Sequence, residues 1–444
     1  MQTRKWFTLL TVAFLLVSPF AGVANVQAQS DPIEPTAIDE VITIAEARAL
    51  PNGDIVTVQG SISAPPNVFA SYEMWMQDAT AGIDVYRGAG LPDGLQLGDV
   101  ISVTGELDEY SGIKEVVPAE TSDVVLVNRG VPPTPVVTDT ANISEASEGW
   151  LVVITGTVSN KDSYGFDLDD GSGSTYIYRD STTGIDLSGI SDGDMLTLVG
   201  ISTEYNSSYQ VKPRYQYDIA HGDVSPIALA RQKSGGDIVT VQGAVTALPG
   251  TFEDVSENRE MYVQDGTAGI DVFNYGGLPI APGALSIGDI VTVTGEIDFY
   301  NGKMEIIATD VVTQGFNSPI APKIQWAGNI SEETEGLLTV ITGTVSNKGS
   351  YGFDLTDSSG ATEVYIDGDT GIDLSGISDG DMLKVIGLSS EFNSNYQITP
   401  RTQDDLVPVT GDTTPPTVAS TKPADGANDA NPYLSVMATF DEKM

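Results

Sequence analysis

Apolar and polar residues alternate in short runs along most of this chain, and Gly, Asp, Asn and Pro bound the runs. A period of two over four to eight residues argues for strands rather than helices. Ile55 to Gly60 is one such run. Met74 to Tyr86 reads as a hairpin whose parity puts Met74, Met76, Ile83 and Val85 on the core face and Trp75 and Tyr86 outward. A loop at Leu97 to Asp99 leads into Val100 to Leu107, and a last strand follows near Lys114 to Val117. The same order returns as Leu151 to Val158, Phe166 to Tyr178, Met195 to Ile201 and Tyr209 to Lys212. There Phe166 and Leu168, like Phe353 and Leu355 later, fall on the core face. Helix signals are few. Thr43 to Leu50 predicts one short helix stopped by Pro51 and Gly53, and Ile227 to Arg231, behind Pro226, is its weaker counterpart.

The pattern itself repeats. Gly53 to Gly60 recurs as Gly236 to Gly243, Gln77 to Val85 as Gln264 to Val272, and Thr183 to Leu196 without change as Thr370 to Leu383. A unit of about 187 residues therefore occurs twice, and each unit divides into two five-stranded halves. The expected modules span residues 29–128, 129–222, 223–315 and 316–409, with a further incomplete segment at 410–444. Pro-rich spacers such as Gly130 to Pro135 and Asn317 to Pro322 are semi-rigid and predict an elongated string of beads.

Charge and composition narrow the function classes. With 20 Lys and Arg against 62 Asp and Glu, the formal net charge is -42. Such a field keeps a protein soluble in an extracellular or salty medium and opposes bulk electrostatic binding of nucleic acid. There is no cysteine, which excludes disulfides, thiolate nucleophiles and Cys-ligated metals. Arg4 and Lys5, the apolar run Trp6 to Phe20 and the small-x-small pattern Val26-Gln27-Ala28 make residues 1–28 a secretory signal peptide. The apolar run is short for a membrane span and no other long one exists, so the mature chain is expected outside the cell or on its surface, without a transmembrane segment.

Five short strands with a glycine in the first suggest a small Greek-key barrel. The motifs V-x-G, Y/M-x-Q-D-x-T-x-G-I-x-V-[YF], L-x-x-G-D-x-[VI]-x-V-T-G and Y-Q-[VI]-x-P-R together resemble the OB-fold modules of secreted bacterial nucleases and exported phosphoesterases. The resemblance implies an all-β protein of four tandem five-stranded OB-like barrels and, more loosely, nucleic-acid or oligomer binding. Asp412 to Ala427 and Met437 to Met444 resemble the start of an Ig-like β-sandwich of bacterial S-layer-associated proteins, cut off after its first third. A catalytic domain is then expected beyond residue 444, if anywhere.

The residue inventory points away from catalysis within this stretch. The only histidine is His221, between the two units, which leaves no Ser-His-Asp triad or multi-His metal site. Asp167, Asp169 and Asp170 before Gly171 partly resemble an oxygen-rich calcium loop. The second copy reads Asp354, Thr356, Asp357 and loses a carboxylate, and ordinary turn structure is the competing reading. No other cofactor is implied.

Outward aromatic residues offer the sharper binding signal. Trp75 with Tyr86, and Tyr262 with Phe273, sit where OB folds bind oligonucleotides and oligosaccharides, on strands two and three. Tyr178 and Tyr365 face outward in the other halves. These rings either stack a base or a sugar or pack on a neighbouring module. Arg214 and Arg401 either contact a phosphate or carboxylate or form internal ion pairs. The reading is a secreted or surface-attached non-catalytic binding or spacer region, accessory to an extracellular hydrolase or to surface attachment. Its partners would be an extracellular oligonucleotide, a polysaccharide or cell-surface components. The alternative is single-stranded nucleic-acid binding in support of a nuclease or phosphoesterase domain.

Overall fold

The computed structural model describes residues 40–254, 256–409, 418–422 and 437–440. The signal-peptide segment lies outside them. Of the Ig-like segment they include two strands, Val418–Lys422 and Met437–Phe440, paired antiparallel.

Four closed five-stranded barrels make up the rest. In the first the strands are Ile55–Ala64, Glu73–Gln77, Gly82–Tyr86, Val100–Tyr110 and Ile113–Val117. They pair in the order first, second, third, fifth, fourth, and the fourth returns to the first. Every pairing is antiparallel except third to fifth, where Asp84 lies beside Glu115. This is the OB topology. The second barrel uses Leu151–Ser159 to Ser208–Lys212, the third Ile238–Ala247 to Lys303–Asn317, and the fourth Leu338–Ser346 to Asn395–Thr399. In the third, the last strand runs on for 15 residues and pairs with the fourth strand along its length, across two irregularities in register. In the others a 3-10 turn, such as Gln216–Asp218, splits that strand in two.

Local chemistry explains these elements. Alternation buries Val56, Val58 and Ile62 with Met74, Met76, Ile83 and Val85 in one core. Phe166 and Leu168, and Phe353 and Leu355, do the same in the second and fourth barrels. The glycine of the first strand sits where that strand bends from one neighbour to the other. A Cβ on Gly60 would lie 2.7 Å from the Gln77 carbonyl oxygen.

The helix Ile44–Arg48 starts in a capping box between Thr43 and Glu46 and buries Ile44 and Ala47 under the first barrel. Asp78, in the turn between the second and third strands, accepts the Ile44 N–H at 2.8 Å. Asp265 does this for Ile227, Asp170 for Thr140 and Asp357 for Ala327. One aspartate per barrel thus fastens the incoming chain to the turn between the second and third strands, and in barrels one and three this is the aspartate of the Q-D-x-T motif.

The string of beads is corrected. The described residues between 40 and 409 belong to one compact unit. Barrels one and two share an apolar cluster, as do barrels three and four. Gln242 of the third barrel donates to the Ile219 carbonyl of the second at 2.8 Å. Lys323 of the fourth barrel pairs with Asp99 of the first at 2.7 Å, both buried. The contacts run from each barrel to the next and from the last back to the first. A barrel of about 90 residues buries a smaller share of its surface than a larger domain does, so shared cores between barrels add to its stability. The Pro-rich spacers cross packed junctions instead of spanning solvent.

Candidate binding cleft between the third and fourth barrels

Strand parity puts Trp75 on the outside of its own barrel, and the second barrel covers it there. The indole is fully buried among Ala64, Phe69, Leu151, Val153, Val199 and Ile201, and its Nε1 donates to Glu73 at 2.8 Å. No ring face is left for a ligand, so the stacking role for Trp75 is corrected to junction packing. Nor do the paired platforms form. Trp75 lies opposite Asp84, and Tyr86 opposite Glu73. Tyr86 is exposed and sits edge-on to Tyr72 at 5.7 Å. In the third barrel Tyr262 lies opposite Asp271 and Phe273 opposite Glu260. Phe273 is half-buried, edge-on to Tyr275 at 5.0 Å. Tyr178 is half-buried in the second barrel, opposite Gly165.

Tyr262 and Tyr365 are brought together. Both line a cleft of about 480 Å³ between barrels three and four. Tyr262 forms its floor, 4% exposed and packed with Ala247, Leu338 and Leu388. Phe252 stands edge-on to it at 6.0 Å, and Phe392 and Tyr365 face in from the fourth barrel. Among the described residues, Lys303 is the only cation in the lining. It pairs with Glu260 at 2.9 Å and closely with Asp271, and donates to the Tyr262 hydroxyl at 3.4 Å. Burial works against the Lys303 charge, but Asp271, Tyr262 and Glu260 outweigh it and hold the ammonium pKa well above its ordinary value. Burial pushes Glu305, beside Asp271 on the next strand, up to about 7. Glu363, Asp367 and Gln397 complete a polar rim. Aromatic walls with carboxylates, an amide and one ion-paired lysine suit a flat or ring-shaped ligand with hydrogen-bonding edges.

Sequence reasoning missed Lys303 and Phe392. Lys303 stands where the first unit has Ile113, and Lys212 stands where the second has Thr399. That exchange of a lysine between units was the available signal. Its meaning depends on the two strands meeting across one junction.

Arg214 and Arg401 are internal ion pairs, not surface ligands. Arg214 is fully buried, holds Asp218 through two nitrogens at 3.0 Å and donates to the Ser63 carbonyl at 2.9 Å. Arg401 holds Asp405 at 3.0 Å and donates to the Thr246 carbonyl at 2.7 Å. Each arginine ties its own barrel to the preceding one.

The expected calcium loop, Asp167, Asp169 and Asp170, has its carboxylates engaged in local turns. Asp167 accepts from Asn160 and Asp169 from the Gly171 N–H. Asp170 accepts from the side chains and N–H groups of Ser172 and Thr140, which hold its carboxyl well below the usual range. The three carboxylates serve three separate turns. They do not belong to either of the carboxylate clusters of metal-binding geometry found among the described residues.

No family model matches the chain. It is similar to Endonuclease YhcR of Bacillus subtilis (strain 168), 27% identical over 216 residues. That match spans 45% of this chain and 17% of the endonuclease. Among solved structures it resembles a murine DNA-binding protein bound with double-stranded DNA, at 13% identity, over 35% of this chain and 90% of that one, with a TM-score of 0.23. It also resembles the Replication Protein A heterotrimer bound to single-stranded DNA, at 10% identity over 58% and 93% of the two chains and a TM-score of 0.16. At such identities and scores these likenesses carry no inference about ligand.

Proposed function

We propose that these barrels are a nucleic-acid-binding region serving an exported nuclease, and that the cleft between barrels three and four takes a short unpaired segment. The meeting of Tyr262 and Tyr365 across one cleft carries this reading, and the partial match to an endonuclease supports the choice of ligand class. The cleft would hold base faces and edges rather than phosphates. Its carboxylates and the net charge of -42 repel a polyanion, so stacking must supply the affinity, with divalent cations screening the backbone. In this reading the barrels bind the strand, and bond cleavage belongs to a nuclease domain that they serve.

Fluorescence titration of the full chain with a single-stranded oligonucleotide of about ten nucleotides is the test. Binding is expected in millimolar magnesium, and Tyr365→Ala should weaken it by roughly 5- to 100-fold, the value of one stacked base. Absence of binding, or binding indifferent to Tyr365→Ala, would overturn the proposal. A second reading has its own support: aromatic walls beside Glu260, Glu363 and Asp367 also suit sugar hydroxyls. Binding of a neutral oligosaccharide that Tyr365→Ala abolishes, with no response to the oligonucleotide, would establish that reading instead.

A further inference from the structure

Three glutamates converge beside each junction within a barrel pair. In the first pair they are Glu145, Glu148 and Glu204, with one oxygen from each within 4.8 Å of the others. In the second they are Glu332, Glu335 and Glu391, in the same relation. Concentrated acid is ordinary on so acidic a chain and is no site by itself. What sets these clusters apart is burial without partners. The Glu148 side chain is 0% exposed and that of Glu335 2%. The Oε1 of Glu148 is fully engaged, accepting from Arg48 at 2.9 Å and from the Lys114 N–H at 3.1 Å. Its Oε2 is buried and has no hydrogen-bond partner. Glu335 repeats this: Oε1 accepts from Arg231 at 3.0 Å and the Met304 N–H at 3.1 Å, and Oε2 is buried and unpartnered.

A buried carboxylate oxygen that accepts no hydrogen bond forfeits the hydration it had in the unfolded chain, a cost larger for a charged group than for a neutral one. To find the same orphan twice, at the same place in two divergent copies, argues that something completes it. The third acid is held by its own hairpin turn and lies against a glycine of the neighbouring barrel. Glu204 accepts from the Ser207 N–H at 3.0 Å, and its carboxylate lies where a Cβ on Gly112 would stand, 2.2 Å from its Oε1. Glu391 accepts from the Ser394 N–H at 3.1 Å and meets Gly302 in the same way. With both flanking arginine pairs counted, each cluster has three carboxylates against one guanidinium, an excess of two negative charges. Glu145 and Glu332 are exposed, which opens a path from solvent.

We propose that each barrel pair binds one hard divalent cation of the calcium or magnesium class, between Glu145, Glu148 and Glu204 in the first pair and Glu332, Glu335 and Glu391 in the second. All-oxygen carboxylate ligation selects such ions, with water filling the remaining positions. The ion would complete the orphaned oxygens, balance the charge and stiffen the junction through the Gly112 and Gly302 turns. The inference does not depend on the cleft or on any nucleic-acid ligand.

Calorimetric titration of the full chain with calcium chloride tests it. About two tight sites per chain are expected over a background of weak surface binding. Glu204→Gln and Glu391→Gln should each remove one, and the double variant both, with circular dichroism showing that each variant is folded. Terbium luminescence supplies a readout that needs no variant. Tyr209 lies 3.5 Å from Glu145 and Tyr396 3.3 Å from Glu332, so tyrosine-sensitised emission displaced by calcium is expected. A tight-site count that the double variant leaves unchanged would assign the binding to the acidic surface and overturn the proposal. So would the absence of both calcium heat and sensitised emission in the folded protein.

Discussion

The junction of barrels one and two and that of barrels three and four are one design used twice with different outcomes. Both are drawn together by backbone contact between glycines. A Cβ on Gly82 would lie 2.0 Å from the Gly149 carbonyl oxygen, and one on Gly269 2.0 Å from that of Gly336. In both, a glutamine accepts from the first strand of the next barrel, Gln77 from the Leu151 N–H and Gln264 from the Leu338 N–H. In both, an arginine at the end of a short helix, Arg48 of Ile44–Arg48 and Arg231 just after Ile227–Ala230, clasps two glutamates. The junctions then part at two places. Trp75 fills the first, where Tyr262 floors the second. The lysine comes from the second barrel in one, Lys212 reaching Glu73 at 3.2 Å and Asp180 at 3.6 Å over the Phe69 ring. In the other it comes from the third barrel as Lys303. The result is a packed seam in the first pair and a cleft of about 480 Å³ in the second. Once a fold carries the same joint twice, one copy suffices for cohesion and the other is free to keep an opening.

The comparison is easiest to break at the tryptophan. Trp75→Ala should cost about 3–5 kcal/mol in denaturant unfolding, the range for a buried aromatic. Tyr262→Ala should cost less, because that ring already borders open space. Equal losses would mean that the cleft is as tightly packed as the seam.

Next come the arginines behind each pair. Arg214→Met strands Asp218, which is nearly fully buried, and should also cost about 3–5 kcal/mol. Arg401→Met, at a pair whose arginine side chain is 18% exposed, should cost distinctly less by the same measurement.

The glycine contacts test what the junctions share. Gly82→Ala and Gly269→Ala should each destabilise by about 1–3 kcal/mol, and by similar amounts, since both push backbone from backbone. A large difference in chemical-denaturation midpoint between the two would show that the joints are not equivalent.

The smallest effect is in pH. Burial first, then Asp108 and Glu73, raise the Glu115 carboxyl to about 7 in the folded first barrel. A carboxyl raised on folding contributes stability that is full below its unfolded pKa and is lost as pH rises through the folded value. Stability should therefore fall between about pH 4.5 and 7, and Glu115→Gln should flatten that slope by about 1–2 kcal/mol after allowance for solvent screening. Unfolding midpoints at pH 5 and pH 7.5 measure it.

Much of this protein is local and was readable as such. Alternation at Met74, Met76, Ile83 and Val85 depends on neighbours within one hairpin, and the core contains all four. The stop signals around Thr43 to Leu50 place the helix Ile44–Arg48 to within two residues. The spacing of Arg214 to Asp218 and of Arg401 to Asp405 puts an acid within reach of each arginine. The Q-D-x-T turns were readable as turns, though not as the clamps that Asp78 and Asp265 make on segments 34 and 38 residues upstream.

The sequence by itself determined the strands, their faces, the duplication and the class of barrel, because each rests on periodicity, turn chemistry or self-similarity over short separations. Only the tertiary structure decided what covers an outward face. Parity says that Trp75 and Tyr262 leave their barrels on the same side. It says nothing of Leu151 and Val199 waiting for one, or of the opening beside the other. Those depend on how two closed surfaces dock, a non-local packing in which a change from Trp to Tyr and the transfer of one lysine separate a seam from a cleft.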